Sequence, residues 1–348
     1  MGGDVRVRRA RGQHRRRRAD LRRARRHRRV RRAERVRRHR DLHGRVRRVE
    51  GPVRETVMTQ KIRVLGLGTM GGRSAAAAVA AGYDVRGFDP SPAAREAAAA
   101  AGVRASDDAA SVVADADLVL VSVPRPEHVR ALATEVLVKA PAGAIVVDLS
   151  TIDPATARAA AGQLAESGVT YVDAPVLGRP ATCGSWTLVC GGPAAAIDTV
   201  RTHLTATVAA KVIHVGETGA GSVVKIANNL MFGAINAITA EAITLCQRSG
   251  VDARTFVDTV AESGAATVSN LFREIAPKMV TGDDDPAFAL ELLAKDNQLA
   301  LDLAEASGAP APLARAVVDV NEIGLGQGLG PRDSGAVVKV YAELGGAR

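Results

Sequence analysis

The chain has 348 residues, which is long enough for two domains, and its formal net charge is +10. Residues 1–57 carry a charge of +18, with 24 arginines, no lysine and six acidic side chains, whereas the remainder carries −8. The body of the protein is therefore acidic, and the whole-chain charge does not by itself identify a nucleic-acid or membrane partner. No apolar run reaches 18 residues, so we expect no membrane partner.

Cysteine and histidine usage gives the next constraint. The cysteines are odd in number and form no CxxC pair, which predicts a reduced cytoplasmic protein without a disulfide framework or zinc site: Cys183, Cys190 and Cys246. We expect no metal site, because the histidines of the acidic body match no ligand spacing: His128, His203 and His214.

Residues 1–57 lack phenylalanine, tyrosine, tryptophan and isoleucine, so they cannot build a core and are predicted to be disordered. Three interpretations are open: a basic arm for nucleic acid, an organelle transit peptide, or sequence read upstream of the natural start. Serine is absent, which counts against a transit peptide. Met58 is followed closely by the first predicted strand, which favours the third interpretation. We therefore expect residues 1–57 to be dispensable and outside the native coding sequence, and we expect no nucleic-acid partner.

The first predicted strand, Lys61–Leu65, leads into a GxGxxG turn and then an alanine-rich helix. In this pattern Gly66 permits a tight turn, Gly68 lets the backbone approach a pyrophosphate, and Gly71 lets helix and strand pack closely. The helix N-terminus, with Thr69 and Met70 before it, offers free N–H groups to phosphates. The strand, turn and helix together predict a dinucleotide site.

An acidic residue follows at a suitable distance. Asp89 ends the second predicted strand, 18 residues after Gly71. A carboxylate there can accept hydrogen bonds from the adenosine ribose and repels a 2′-phosphate, which favours NAD over NADP. The alternative is that Asp89 caps the helix that starts near Pro92.

The alternation of strands and helices continues to about residue 218. Strands are predicted at 118–123, 144–148 and 169–173, with helices at 127–137 and from Pro154. This order predicts an α/β domain with a Rossmann-type, doubly wound parallel sheet over residues 58–218. Ligands bind at the carboxyl ends of such strands, which adds three candidate cofactor-binding residues: Val123, Pro124 and Thr151.

The sequence after residue 218 is helical. A run without proline from Val223 to Arg248 predicts a long helix that connects the sheet to an all-α domain, residues 219–348. Shorter helices are predicted at 255–263, 270–280, 288–308, 312–323 and 334–344. We expect this second domain to serve substrate binding and oligomerisation.

Several separated motifs of residues 58–348 resemble the β-hydroxyacid dehydrogenase family, whose type member oxidises 3-hydroxyisobutyrate. They are Gly66-Leu-Gly-Thr-Met-Gly71, Asp148-Leu-Ser-Thr151, Asp173-Ala-Pro-Val176, Thr187-Leu188, Gly191-Gly192, Gly216-Glu-Thr-Gly-Ala-Gly221, Lys225-Ile-Ala-Asn-Asn229 and Lys295-Asp296 followed by Leu299-Ala300. The resemblance implies that Lys225 is the catalytic residue, that Asn229 helps to hold the substrate, and that Lys295 closes over the cofactor side of the cleft.

The residue chemistry agrees with these implied roles. Lys225 and Asn229 are four positions apart, so they lie on one face of the long helix. Apolar neighbours at 224, 226 and 230 are expected to desolvate the lysine, which lowers its pKa and eases proton exchange with an alcohol. Without the resemblance, the sequence would favour the alternative that Lys225 is an ordinary solvated lysine of a helix.

One departure from the family pattern concerns the substrate. The family follows the DAPV motif with Ser-Gly-Gly, which holds the substrate carboxylate, whereas this chain has Leu177, Gly178 and Arg179. We expect the Gly178 N–H and the Arg179 guanidinium to replace the missing hydroxyl, with a solvent-facing Arg179 as the alternative. Trp186 follows this loop and either lines the pocket or fills the core.

The predicted function is hydride transfer between NAD and a small 3-hydroxy acid, with Lys225 as general acid/base, in a homodimer or homotetramer. Two alternatives remain. One is an NAD(P)H-dependent reductase of an imine or semialdehyde. The other is a non-catalytic dehydrogenase-like scaffold with a basic nucleic-acid arm. The presence of Lys225 counts against both an imine reductase and a scaffold, because relatives of these kinds usually replace it.

Overall fold

The computed structural model describes residues 61–264 and 267–344. The predictions made for residues 1–57 lie outside this described part. The first half of the described chain alternates strands and helices: β1 (Lys61–Leu65), α1 (Gly71–Ala80), β2 (Asp84–Phe88), α2 (Pro92–Ala100), β3 (Arg104–Ser106), α3 (Ala109–Val113), β4 (Leu118–Val121), α4 (Pro126–Glu135), β5 (Ile145–Asp148), α5 (Pro154–Ala165) and β6 (Thr170–Asp173).

These six strands are parallel and lie in the order β3-β2-β1-β4-β5-β6. Strands β4 and β5 are buried almost throughout, because helices cover both faces of a parallel sheet. One hydrophobic cluster lies on each face, and the two include Val64 and Leu120 on one side and Leu65 and Val121 on the other. The carboxyl ends of the strands are therefore left as the exposed edge where a ligand can bind.

The sheet continues with β7 (Val176–Leu177), β8 (Trp186–Gly191), α6 (Ala194–Thr207) and β9 (Ala209–Gly216). Strand β8 is antiparallel to β6 and β7 and parallel to β9. Strands β7 to β9 were not predicted, and β8 adds an antiparallel strand beside the predicted parallel series. The loop from Gly178 to Ser185 is too short for the crossover that parallel neighbours need, so β7 and β8 form a hairpin.

The remainder is helical: α7 (Ala220–Arg248), α8 (Ala253–Ser263), α9 (Asn270–Thr281), α10 (Leu290–Ser307), α11 (Pro312–Gly326), a 3₁₀ segment (Ser334–Val337) and α12 (Val338–Leu344). Helix α7 has 29 residues and is about 44 Å long. It contacts β6, β8 and β9 near its start, and helices α8 to α12 pack around it. The predicted Rossmann-type sheet followed by an all-α domain is confirmed.

Helix α7 also carries an exposed apolar face. It is long and apolar enough to pass a length-and-composition test for crossing a membrane, but a core helix of a soluble protein passes the same test. The side chains of this face are exposed over 40% to 66% of their surface and recur every seven or eight residues: Val223, Met231, Ile238 and Leu245. The opposite side of α7 is buried against the other helices.

Candidate active site

The glycine-rich turn between β1 and α1 has the shape of a phosphate cradle. Gly66 has φ +91°, and a Cβ there would lie 2.1 Å from the Ser122 carbonyl oxygen. A Cβ on Gly71 would lie 1.9 Å from the Gly66 oxygen, whereas a Cβ on Gly68 would meet nothing within 4 Å. The turn is therefore closed toward the sheet at Gly66 and Gly71 and open to an incoming group at Gly68.

Asp89 is tied to this turn. Its Oδ2 accepts a hydrogen bond from the Leu67 N–H at 2.7 Å, and its Oδ1 accepts one from the Ser91 N–H at 2.9 Å. The cap of α2 is Ser91, whose Oγ accepts from the Ala94 N–H. Asp89 therefore does not cap that helix directly. It holds the end of β2 against the turn, with its carboxylate partly exposed at the edge where an adenosine ribose would lie.

A buried hydrogen-bond chain fixes the next two loops. The Val123 N–H donates to the Ser150 Oγ at 2.9 Å, and the Ser150 N–H donates to the Asp148 Oδ1 at 2.8 Å. The Tyr171 hydroxyl donates to the other Asp148 oxygen at 2.6 Å. Burial raises the pKa of Asp148, although the hydrogen bonds from Ser150 and Tyr171 oppose that rise. The loops that contain Pro124 and Thr151 are thereby held together.

Asp173, at the end of β6, anchors the start of α7. Its two carboxylate oxygens accept from the Gly219 N–H at 2.7 Å and the Ser222 N–H at 2.8 Å. Burial raises the pKa of Asp173, whereas these two bonds lower it. Because the first N–H groups of a helix lack partners within the helix, a carboxylate satisfies both them and itself. Lys225, three residues after Ser222, is positioned by this contact.

Two glycines permit the close approach of α7. A Cβ on Gly221 would lie 2.2 Å from the Val189 carbonyl oxygen, and one on Gly191 would lie 2.6 Å from the Asp173 Oδ1. No side chain fits at either position without moving backbone or the buried carboxylate. The two glycine motifs found in the sequence are therefore steric requirements for placing Lys225.

Lys225 is partly buried on α7. Desolvation is the largest influence on it and lowers its pKa; the charge of Asp296 raises the pKa, and the charge of Lys295 lowers it. An ammonium group in this setting releases its proton more readily than a solvated one.

Asn229, one turn further along α7, contacts the same pair on α10. Its Nδ2 donates to the Asp296 Oδ2 at 2.5 Å. The Lys295 Nζ lies 2.8 Å from the Asp296 Oδ1 and donates to the Thr151 carbonyl oxygen at 2.8 Å. Four of the sequence-predicted residues, Lys225, Asn229, Lys295 and Thr151, are thus brought together where the helical domain meets the carboxyl edge of the sheet.

Trp186 packs against the loop that follows β7. This side chain is fully buried in the core, and its Nε1 donates to the Arg179 carbonyl oxygen at 2.7 Å. A Cβ on Gly178 would lie 2.4 Å from the Trp186 ring. Of the two alternatives for Trp186, the core role is therefore the one observed. The Arg179 guanidinium forms an ion pair with Glu274 of α9, with both side chains partly exposed.

Comparison with known proteins follows the same division into two parts. Residues 61–216 match the NAD binding domain of 6-phosphogluconate dehydrogenase, and residues 219–341 match the NAD-binding domain of NADP-dependent 3-hydroxyisobutyrate dehydrogenase. The chain is 32% identical over 291 residues to 2-(hydroxymethyl)glutarate dehydrogenase of Eubacterium barkeri, covering 82% of this chain and 96% of the relative. It is 34% identical over 266 residues to a probable 3-hydroxyisobutyrate dehydrogenase of Mycobacterium tuberculosis, covering 74% and 90%.

The solved structure of Mycobacterium tuberculosis 3-hydroxyisobutyrate dehydrogenase with L-serine superimposes with a TM-score of 0.74 at 33% identity, covering 82% of this chain and 99% of that one. The chain belongs to the β-hydroxyacid dehydrogenase family. It is an oxidoreductase with an NAD(P)-binding Rossmann domain.

The residues of this β-hydroxyacid dehydrogenase fit a nicotinamide dinucleotide. Gly68 leaves open space above the turn, and Asp89 and the Val123–Thr151 loops border the same edge. Three contacts were not predicted from the sequence: the bonds by which Asp173 anchors α7, the Asp148–Tyr171 pair and the ion pair of Arg179. Asp148 and Asp173 each end a buried strand, and a charged residue at the end of a buried strand is the sequence feature from which these contacts could have been predicted. The Arg179–Glu274 ion pair had no such sequence feature, because nothing in the sequence relates α9 to the loop at 179.

Proposed function

We propose that this β-hydroxyacid dehydrogenase oxidises a small 3-hydroxy acid, such as 3-hydroxyisobutyrate or a close analogue, with NAD as the preferred cofactor and Lys225 as general acid/base. The nicotinamide, when bound, supplies the hydride acceptor. The observation that carries the proposal is the grouping of Lys225, Asn229, Lys295 and Thr151 beside the glycine-rich edge. The three cysteines are free thiols, which supports a location in the reducing cytoplasm.

In the oxidative direction the neutral Lys225 amine accepts the substrate hydroxyl proton, and in the reductive direction the ammonium returns it to the carbonyl oxygen. A lysine with an ordinary pKa is almost entirely protonated near neutral pH and is a poor base there. The desolvation that lowers the pKa of Lys225 increases the fraction of free amine. Asn229 holds the substrate next to this amine.

Lys225→Ala tests the catalytic assignment. We expect the turnover of 3-hydroxy acids to fall by about 10² to 10⁴, the usual contribution of a general acid–base group, while the Kd for NAD changes little. Steady-state kinetics and a fluorescence titration of NAD measure the two quantities. Lys211→Ala, which removes an exposed lysine of β9, is the matched control. Turnover within a few-fold of wild type in Lys225→Ala would make the lysine structural.

Asp89 provides the test of cofactor preference. In the proposed cofactor position its carboxylate would repel a 2′-phosphate, so we expect kcat/KM to be higher with NAD than with NADP. Asp89→Ser should reduce the ratio of the two values by removing the repulsion, and Asp107→Ser, at an exposed position, should not. Arg95 donates to the Asp89 and Pro90 carbonyl oxygens and is the cation that a 2′-phosphate would recruit. A wild-type preference for NADP would disprove the role given to Asp89.

Arg179 is proposed as the anchor of the substrate carboxylate, in place of the family's serine. Arg179→Met should raise KM for acid substrates by about ten- to a hundred-fold, as expected for a lost charged hydrogen bond, and should spare their methyl esters. Glu274 competes for the same guanidinium. Glu274→Gln should therefore leave KM for acids unchanged or lower it. Equal increases for acid and ester in both variants would instead identify the pair as a contact between the two domains.

We also propose that the protein forms homodimers or homotetramers through the exposed face of α7. Its four apolar side chains extend along about 33 Å of one helix face, and a twofold axis can pack such a stripe against its own copy. Ile238→Asp should lower the mass measured by light scattering, whereas Leu313→Asp, at an exposed apolar position on α11, should not. A monomeric wild-type chain would contradict the proposal.

A further inference from the structure

The Asp296 carboxylate on α10 contacts two of the candidate site residues, Asn229 and Lys295. The residue is 2% exposed. One of its oxygens accepts from the Asn229 amide at 2.5 Å, and the Lys295 Nζ lies 2.8 Å from the other. A buried carboxylate is costly unless it is paired and hydrogen-bonded, and here both compensating groups belong to the candidate site.

The two partners of Asp296 act on different parts of the site. Asn229 is the residue proposed to hold the substrate. Lys295 donates to the Thr151 carbonyl oxygen, on the loop that borders the cofactor position. Asp296 therefore links the substrate side to the cofactor side through one rigid group on α10.

The charge of Asp296 also acts on Lys225. Lys225 and Asn229 share one face of α7, one turn apart, and Asn229 is in contact with Asp296. Among the described residues, the charged groups that shift the pKa of Lys225 are both on α10: Asp296 raises it and Lys295 lowers it. Two other charged groups lie beside the first turn of α7, namely Asp173, bound to the Gly219 and Ser222 N–H groups, and Arg158, next to Gly219.

We propose that Asp296 is a positioning residue for the reaction: it orients the Asn229 amide and Lys295, and it places a negative charge opposite the Lys225 amine. This inference rests on the proposed role of Lys225. The charge keeps Lys225 basic enough to hold a proton, against the desolvation that favours the neutral amine. The residue thereby balances the two protonation states that a reversible dehydrogenase must use.

The direction of the expected effect follows from the charges. Without the Asp296 charge the pKa of Lys225 falls further. Oxidation needs the neutral amine, so the acidic limb of the pH–rate profile for oxidation moves to lower pH. Reduction needs the ammonium, so the alkaline limb of the pH–rate profile for reduction also moves to lower pH. If Asp296 had only a structural role, its replacement would lower the rates in both pH–rate profiles without moving their limbs along the pH axis.

Asp296→Asn tests this inference, because asparagine can still accept a hydrogen bond from Asn229 but carries no charge. Asp302→Asn is the matched control, since Asp302 is on the same helix, exposed, and bonded only to Gln298 in the described contacts. We expect both pH limbs to move to lower pH in Asp296→Asn and to stay in place in Asp302→Asn. KM for the hydroxy acid should rise about three- to ten-fold, as the amide loses a charged partner.

A second readout does not depend on turnover. Lysine side chains labelled by ¹³C reductive methylation are titrated by NMR, and the Lys225 signal is identified by its loss in Lys225→Arg. Its midpoint should move to lower pH in Asp296→Asn, and Asp296→Glu should restore it. An unmoved midpoint together with unmoved limbs would overturn the inference.

Lys295→Met provides an independent variant in case Asp296→Asn does not fold. Removing this ammonium takes away a charge that lowers the pKa of Lys225, so the limbs and the NMR midpoint should move to higher pH. Unmoved values there would also overturn the inference. The proposed function is judged separately: activity retained in Lys225→Ala removes Lys225 from the chemistry, whereas an inactive Lys225→Ala with an unmoved Asp296→Asn rejects Asp296 alone.

Discussion

The hydrogen bonds between the Asp173 carboxylate and the first turn of α7 are the contact on which the candidate active site depends. It joins the last strand of the parallel series to the only helix that runs from the sheet into the helical domain of the described chain. A buried carboxylate and the free N–H groups of a helix start each need a partner, and here they satisfy one another. The contact fixes both the axial position and the rotation of α7. The candidate site residues of that helix, Lys225 and Asn229, take their positions from this end.

The sheet domain contributes mostly backbone to the site, whereas the helical domain contributes side chains. The glycine-rich turn and the Val123 and Thr151 loops are held by hydrogen bonds among backbone groups and buried polar residues. Lys225, Asn229 and Lys295 come from α7 and α10. The Lys295–Thr151 bond and the Arg179–Glu274 ion pair join the two domains at separate points. Small relative movements of the domains would therefore change the distance from Lys225 to a bound nicotinamide.

Local patterns in the sequence were sufficient to predict most of the fold. The alternation of buried strands with alanine-rich helices predicted five of the six parallel strands, and only the three-residue β3 was missed. The spacing of Gly66, Gly68, Gly71 and Asp89 predicted the cofactor edge. The antiparallel hairpin of β7 and β8 was missed, because the strand at 176–177 has two residues and shows no periodicity. Trp186 was ambiguous for a related reason: a lone aromatic side chain fits a pocket wall and a core equally well, and only the packing separates them.

The candidate site could be predicted where its residues lie at a fixed spacing on one helix. It could not be predicted where two elements that are distant in sequence contact each other. Lys225 and Asn229 could be placed on one face because they are four residues apart on one helix. The contact of Asn229 with Asp296 joins positions 67 residues apart, and the bond of Lys295 to Thr151 joins positions 144 apart. Such contacts depend on how helices pack, which no local pattern reports.

The electrostatics of the site follow from this packing. A lysine among apolar neighbours tends toward the neutral amine, and an exposed one stays charged. Helix α10 brings both an acidic and a basic group to Lys225, and their effects oppose each other. The protonation state of Lys225 is thus set by a balance between burial and two neighbouring charges. Because Asp296 and Lys295 are adjacent in sequence, any shift of α10 moves both charges together. The balance is therefore sensitive to their distances from the amine, and under the proposed acid/base role of Lys225 the reaction gains from a helix α10 that is held rigidly against α7.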